Sequence, residues 1–195
     1  MKRLFVIPFI ILTSAIAFGQ TQPTSLSDTY RNLFKVSAAM FTRNTFQMGF
    51  EHFFNPTTSL QVNGGMNFKD SEYDQFWGVI TEAQLRFHVY TQIKTRNSHR
   101  LYFAPYILNN YEEQRSRYWN NNGYESWQTD SFDAVGTGIL FGWSFSFANR
   151  VNLDIYTGGG IRKTFNADTD YYAGVWDYYY SGIAPRLGID VGFWF

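Results

Sequence analysis

The last thirteen residues of this chain of 195, Ile183 to Phe195, alternate apolar with polar or small side chains almost throughout. Ile183, Pro185, Leu187, Ile189, Val191, Phe193 and Phe195 fall on one parity, and Ala184, Arg186, Gly188, Asp190, Gly192 and Trp194 on the other. Successive side chains of a strand point to opposite faces, so the segment presents one apolar face and one face carrying an arginine and an aspartate. Its length covers the roughly 9–11 tilted residues that a β-strand needs to cross a bilayer. Strands that cross a bilayer must close into a barrel, because an open sheet edge leaves backbone groups unsatisfied in hydrocarbon.

The amino-terminal stretch points to export. Lys2 and Arg3 are followed by an apolar run from Leu4 to Leu12 and by small residues Ala15, Ala17 and Gly19 before Gln20. That is the pattern of a secretory signal peptide, so residues 1–19 are expected to be removed. Residues 20–31, rich in Thr, Ser, Pro and Gln, read as a periplasmic lead-in, and 32–195 as one barrel domain. The chain has no cysteine, which excludes a lipidated amino-terminus and disulfides. Sixteen basic residues balance sixteen acidic ones, which argues against nucleic acid as a partner. Aromatic residues make up 21% of the chain although its mean hydropathy is negative, as a transmembrane barrel requires only alternate residues to be apolar.

Alternating segments are expected near Asn32–Phe41, Thr45–Phe54, Ser59–Lys69, Phe76–Ile93, Leu101–Arg117, Thr129–Phe147, Val151–Phe165 and Tyr179–Phe195. They predict an all-β fold, an eight-stranded antiparallel up-and-down transmembrane β-barrel, with roughly 22 residues available per strand and connection. Asn55-Pro56-Thr57-Thr58, Ala148-Asn149-Arg150 and Lys94 to Arg100 read as turns at one end. Tyr118 to Gln128 and Asn166 to Tyr178 read as longer connections at the other, which makes theirs the outer end.

Parity assigns an interior. Lys35, Glu51, Glu82, Arg86, Asp154, Arg162, Arg186 and Asp190 share the inward register, while Val79, Leu85, Phe87, Val89, Val135, Ile139, Phe141, Trp143, Phe145, Val151, Leu153, Ile155 and Ile161 fall outward. A one-residue slip would exchange the faces of a strand and set an arginine in lipid, at about 2–4 kcal/mol near the midplane. Four cations and four anions in a lumen that side chains just fill are expected to pair, giving a plugged interior. Gln47, Asn63, Gln84, Asn152 and Tyr156 are expected to join this network, and glycines such as Gly142, Gly158 and Gly188 to make room opposite large side chains. A gated ion path and a catalytic carboxylate pair are the alternative readings of the same charges.

His52, His88 and His99 match no metal-ligand spacing, so neither metal nor cofactor is expected. His88 falls inward towards the periplasmic end, His52 near the rim and His99 in a turn; none stands at the outer rim, where a surface hydrolase would work, and no catalytic residue is assigned. Two outer stretches are rich in rings: Tyr118, Trp119, Tyr124 and Trp127 in one, Tyr171, Tyr172, Trp176 and Tyr178 in the other. They read either as an aromatic girdle with strand extensions or as a surface binding glycan, lipopolysaccharide or a partner protein.

The signal sequence, the eight segments and the terminal Gly192-Phe193-Trp194-Phe195, with Phe193 and Phe195 as its carboxy-terminal barrel signature, resemble the small eight-stranded outer-membrane barrels of the OmpA/OmpX transmembrane type. Met48-Gly49-Phe50-Glu51-His52 with Asn55-Pro56-Thr57-Thr58, Tyr102-Phe103-Ala104-Pro105-Tyr106 and Ile183-Ala184-Pro185-Arg186-Leu187-Gly188 are similar to a family of uncharacterised outer-membrane barrels. The resemblance implies the outer membrane of a Gram-negative bacterium, a setting of lipid and lipopolysaccharide, insertion by barrel-assembly machinery and a monomer; it brings no catalytic residues. The expected role is non-enzymatic, in envelope structure and surface interaction. A small outer-membrane pore, or a soluble lipocalin-like barrel with the apolar parity inside around an apolar ligand, is the alternative.

Overall fold

A computed structural model describes residues 31–38, 40, 44–70, 74–94, 97–119, 125–147, 150–165 and 181–195. The expected signal peptide, nearly all of the lead-in, and Tyr124, Tyr171, Tyr172, Trp176 and Tyr178 lie outside these. The described residues form eight strands: β1 (Asn32–Ser37), β2 (Thr45–Asn55), β3 (Thr58–Asp70), β4 (Asp74–Lys94), β5 (Asn97–Trp119), β6 (Glu125–Phe147), β7 (Val151–Phe165) and β8 (Gly182–Trp194). Each pairs antiparallel with the next, and β8 returns to β1, so the sheet is a closed barrel.

The faces follow parity. Along β2 the residues alternate buried and exposed from Thr45 to Phe50, with Phe46, Met48 and Phe50 facing out. Val135, Ile139, Phe141 and Trp143 of β6 and Ile183, Leu187, Ile189 and Phe193 of β8 are likewise exposed on the outside. Lys35, Glu51, Gln61, Glu82, Gln84, Arg86, Asn152 and Asp154 are buried inside. A polar interior within an apolar exterior is the reverse of what the lipocalin-like alternative requires.

Local chemistry sets the turns and bends. The Asn55 side chain accepts hydrogen bonds from the Thr57 amide (2.9 Å) and hydroxyl (2.8 Å), closing the β2–β3 hairpin around Pro56. In β4 the register against β5 shifts between His88 and Tyr90, so Val89 and Tyr90 are both exposed, at 68% and 51%. Gly142 and Gly188 are required by rings: a Cβ would lie 2.2 Å from Cζ of Tyr102 at the first and 2.2 Å from Cζ of Tyr156 at the second.

Several expected boundaries move. Strand β5 begins at Asn97, so His99 lies in a strand rather than a turn and packs against Trp143 and Phe145 on the outer face. Tyr118, Trp119 and Trp127 belong to strands rather than to a loop: Tyr118 pairs with Ser126, Trp119 with Glu125 and Arg117 with Trp127. The two strands of this hairpin are therefore longer than expected, β5 running to Trp119 and β6 starting at Glu125. Conversely β1 stops at Ser37, short of the expected Phe41.

Candidate functional site: the charged lumen

Two antiparallel neighbours and the opposite wall bring four charges together. Lys35 Nζ of β1 lies 2.6 Å from Glu51 Oε2 of β2 and 2.6 Å from Asp154 Oδ2 of β7. Arg86 of β4 reaches across to the same two acids, bonded to Asp154 Oδ2 and 3.5 Å from Glu51 Oε2. All four side chains are at most 1% exposed. Removing such charges from water is costly, and the cost is offset only where every charge finds partners. Two cations against two acids leave the quartet neutral.

The remaining lone pairs and protons of the quartet are taken up by neutral groups. The Ser59 hydroxyl donates to Glu51 Oε1 at 2.5 Å, the Tyr102 hydroxyl to Asp154 Oδ1 at 2.9 Å, and Lys35 to Gln61 Oε1 at 2.9 Å. Gln61 passes a donor on to Asn63, 2.7 Å away. Arg86 donates through Nε and Nη2 to Gln84 Oε1 (2.9 and 2.7 Å), and Gln84 donates to Glu82. Glu82 in turn accepts from Arg186 Nη2 at 2.7 Å. One connected chain therefore runs from β8 across β4 to β7, β1 and β2. Tyr102 and Tyr106 offer their ring faces to Arg86 and Arg186, whose guanidinium carbons lie 4.4 and 4.7 Å from the ring centroids.

Six of the eight charges assigned to the lumen thus lie in this chain: Lys35, Glu51, Glu82, Arg86, Asp154 and Arg186. Asp190 is buried opposite Asp154 and Ser37 in the ladder, and Arg162 lies nearer the end where β7 finishes, opposite Gly136 and Gly182. Gln84 and Asn63 take part as expected, whereas Asn152 bonds Ser144 and Ser146, and Tyr156 packs with Tyr102, Ala104, Tyr106 and Leu140.

At the end of the barrel where β1 starts and β8 finishes, Leu33, Phe53 and Trp194 form a buried apolar cluster. The Phe53 ring is 5.2 Å from Trp194 and stacks on His88 at 5.2 Å. Arg100, only 1% exposed, sets its guanidinium 4.9 Å from the Phe53 centroid and 5.2 Å from that of Trp194. Sequence reasoning missed Arg100 because it began the fifth strand at Leu101, four residues after its start at Asn97. It also missed Glu112, which accepts from Asn67 (3.1 Å) and Asn110 (2.5 Å) in the upper lumen although its parity matches Tyr102 and Tyr106.

One trio imitates catalytic geometry. Ser59 Oγ is 3.0 Å from His88 Nε2, and Glu51 Oε1 is 3.7 Å from the same nitrogen. Yet the Ser59 hydroxyl donates to Glu51 rather than to the imidazole, and the carboxylate lies near the same ring nitrogen as the serine instead of orienting the far one. An activated serine needs the opposite order of donors. Among the described residues no cluster of three or more His, Asp or Glu could hold a metal ion.

A closed antiparallel barrel with a lipid-compatible exterior and a charge-paired interior defines an eight-stranded transmembrane β-barrel. No known family and no curated protein matches the chain by sequence. Among solved structures it is similar to the N-terminal β-barrel domain of OprF from Pseudomonas aeruginosa, at 12% identity and a TM-score of 0.37 over 85% of this chain and 98% of that one. It is also similar to Ail, the attachment invasion locus protein of Yersinia pestis, at 12% identity and a TM-score of 0.39 over 84% and 95%.

Proposed function

We propose that the protein is a non-enzymatic integral outer-membrane β-barrel, closed to solutes, that serves envelope structure and presents a rigid sheet at the cell surface. The observation that carries this reading is the filled cross-section: Lys35, Glu51, Arg86 and Asp154 lie at 1% exposure or less above the apolar floor of Leu33, Phe53 and Trp194. A hydrated path would have to break these contacts, which weighs against the small pore. Barrels of this construction belong to outer membranes, with short periplasmic turns and longer outer excursions.

The outer excursion supports the surface role. Strand β7 ends opposite Asp133, and β4 begins opposite Ser116, while the β5–β6 hairpin continues to Trp119 and Glu125. Trp77 and Tyr111 meet edge-on at 5.7 Å where the apolar belt gives way, and beyond them Arg115, Thr129, Asp130 and Ser131 are exposed. Trp127, 45% exposed on this sheet, is a stacking platform for a glycan or a partner side chain.

Planar-bilayer recording and surface labelling test the two halves. The purified protein is expected to give no conductance steps, and Ser131→Cys to react with a membrane-impermeant thiol reagent on intact cells. Steady single-channel currents would overturn the closed lumen, and labelling only after lysis would overturn the outward sheet.

A further inference from the structure

We propose that the mouth of the barrel where β1 starts and β8 finishes binds a phosphate group of a water-soluble ligand, held by Arg31 and Arg150 above the buried guanidinium of Arg100. Only the closed barrel is needed for this site, so it stands apart from the role proposed above.

Backbone bonds gather the two outer arginines at one rim. The Trp194 amide donates to the Arg150 carbonyl at 2.9 Å, and the Phe195 amide to the Asn32 carbonyl at 3.0 Å. The last residues of β8 therefore lie between Arg150, just before β7, and Arg31, just before β1. Neighbouring strands stand about 4.8 Å apart, so the two backbones are about 10 Å from each other across β8. Arginine side chains span such a gap from both sides. Each residue continues the inward parity of its strand, Arg31 that of Leu33 and Lys35, Arg150 that of Asn152 and Asp154. Both are exposed, so they stand at the opening of the lumen rather than on the apolar exterior.

A third arginine lies beneath them. Leu33, Phe53 and Trp194 cluster at this mouth, and the Arg31 carbonyl accepts from the Phe53 amide at 2.9 Å. Arg100 sets its guanidinium against the rings of Phe53 and Trp194, at 4.9 and 5.2 Å. It is 1% exposed, yet its Nε, Nη1 and Nη2 have no hydrogen-bond partner among the described residues. Two positions away on the same face of β5, the buried Ser98 hydroxyl is likewise unpartnered among them. The aromatic faces attract the cation but leave its N–H donors unused. A buried cation is costly unless an opposite charge offsets it. The acids of the quartet are already taken, Glu51 by Lys35 and Ser59, Asp154 by Lys35, Arg86 and Tyr102. Three cations therefore meet at one mouth, each adjoining Phe53 or Trp194.

The arrangement selects phosphate among anions. A carboxylate presents two coplanar oxygens and matches a single guanidinium fork. Arginines that approach from two strands need acceptor oxygens that diverge, as those of a tetrahedral phosphate do. The lumenal parity also disfavours a lipid headgroup, whose phosphate would lie outside the wall beside the exposed Phe54, Phe193 and Phe195.

The folded protein in a non-ionic detergent is titrated calorimetrically, at constant ionic strength, with inorganic phosphate, glycerol 3-phosphate and micellar dihexanoylphosphatidylglycerol. Saturable binding of the two soluble phosphates is expected. Arg31→Gln with Arg150→Gln weakens it at least about tenfold, the loss expected of two charge-assisted contacts. Arg100→Met, which removes the charge beneath, weakens it as well. Arg115→Gln, at an exposed arginine that pairs with Thr129 near the opposite end, leaves it unchanged. Absence of saturable binding, unchanged affinity in the double variant or in Arg100→Met, or an equal loss in Arg115→Gln overturns the site. Preference for the lipid by about tenfold or more moves the contact to the outer face and overturns it too. The double variant alters only exposed side chains, so it tests the site even where Arg100→Met fails to fold. Retained heat-dependent gel mobility confirms that each variant is folded.

Discussion

Replacing Asp154 by Asn removes one charge from the quartet at nearly constant volume. Asp154 accepts from Lys35 Nζ at 2.6 Å, from Arg86 and from Tyr102 at 2.9 Å, with no exposed surface of its own. The substitution leaves Lys35 and Arg86 sharing Glu51, so a neutral cluster becomes a buried cation. Breaking a buried ion pair from one side costs about 3–5 kcal/mol. With a urea slope of about 2 kcal/mol per molar, the unfolding midpoint falls by about 1.5–2.5 M. The assay is reversible urea unfolding in lipid vesicles, followed by the fluorescence of the six tryptophans. Adding Lys35→Met to Asp154→Asn restores neutrality, so the double variant is expected to be more stable than the sum of the single losses, a coupling that only a shared interaction produces. Added salt does not close the gap, because buried charges are weakly screened. A midpoint shift below about 0.5 M, or additivity in the double variant, would refute the claim that the quartet holds the barrel together.

Ile155→Arg sets a cation on the lipid face of β7 and costs about 2–4 kcal/mol in the same assay, whereas Ser131→Arg on the outer sheet leaves the midpoint unchanged; equal effects would mean the membrane belt is misplaced. Gly142→Ala drives a methyl into the Tyr102 ring at 2.2 Å and costs about 1–3 kcal/mol. Placing the same change in a Tyr102→Leu background recovers most of that added loss, and an undiminished loss would move its cause to the backbone. Trp119→Ala with Trp127→Ala leaves stability unchanged and abolishes retention on envelope polysaccharide; unchanged retention would return those rings to the membrane girdle.

Parity made the interior legible. Glu51, Arg86 and Asp154 share a face with small or polar neighbours, and lipid forbids a slip, so the inward side follows without knowledge of any contact. Which charges meet does not follow, because Lys35 to Asp154 spans 119 positions of sequence. That distance is bridged by barrel closure and by the stagger of the strands, neither of which is written in any one strand. Boundaries failed where tertiary pairing overrode local signals. Ser98, His99 and Arg100 look like a turn after Thr95-Arg96-Asn97, yet each has a partner on β4 and on β6. Tyr118 and Trp119 look like loop tips, yet the ladder carries them to the end of the hairpin.

The walls of the lumen differ in the size of the side chains that they supply. At the end where β1 starts and β8 finishes, β1, β2, β4 and β5 contribute Lys35, Glu51, Arg86 and Tyr102, long buried groups that meet one another. Towards the other end β6, β7 and β8 contribute Gly138, Gly158, Gly160 and Ala184, while β3 and β5 contribute Asn67, Asn110 and Glu112. A barrel of eight strands can be solid only where large side chains oppose small ones. Tyr102 over Gly142 and Tyr156 over Gly188 meet that condition in the lower and middle lumen. Beyond them β6, β7 and β8 supply small residues and β3 and β5 the longer Asn67, Asn110 and Glu112, so large and small side chains are shared out among the strands rather than between the two ends.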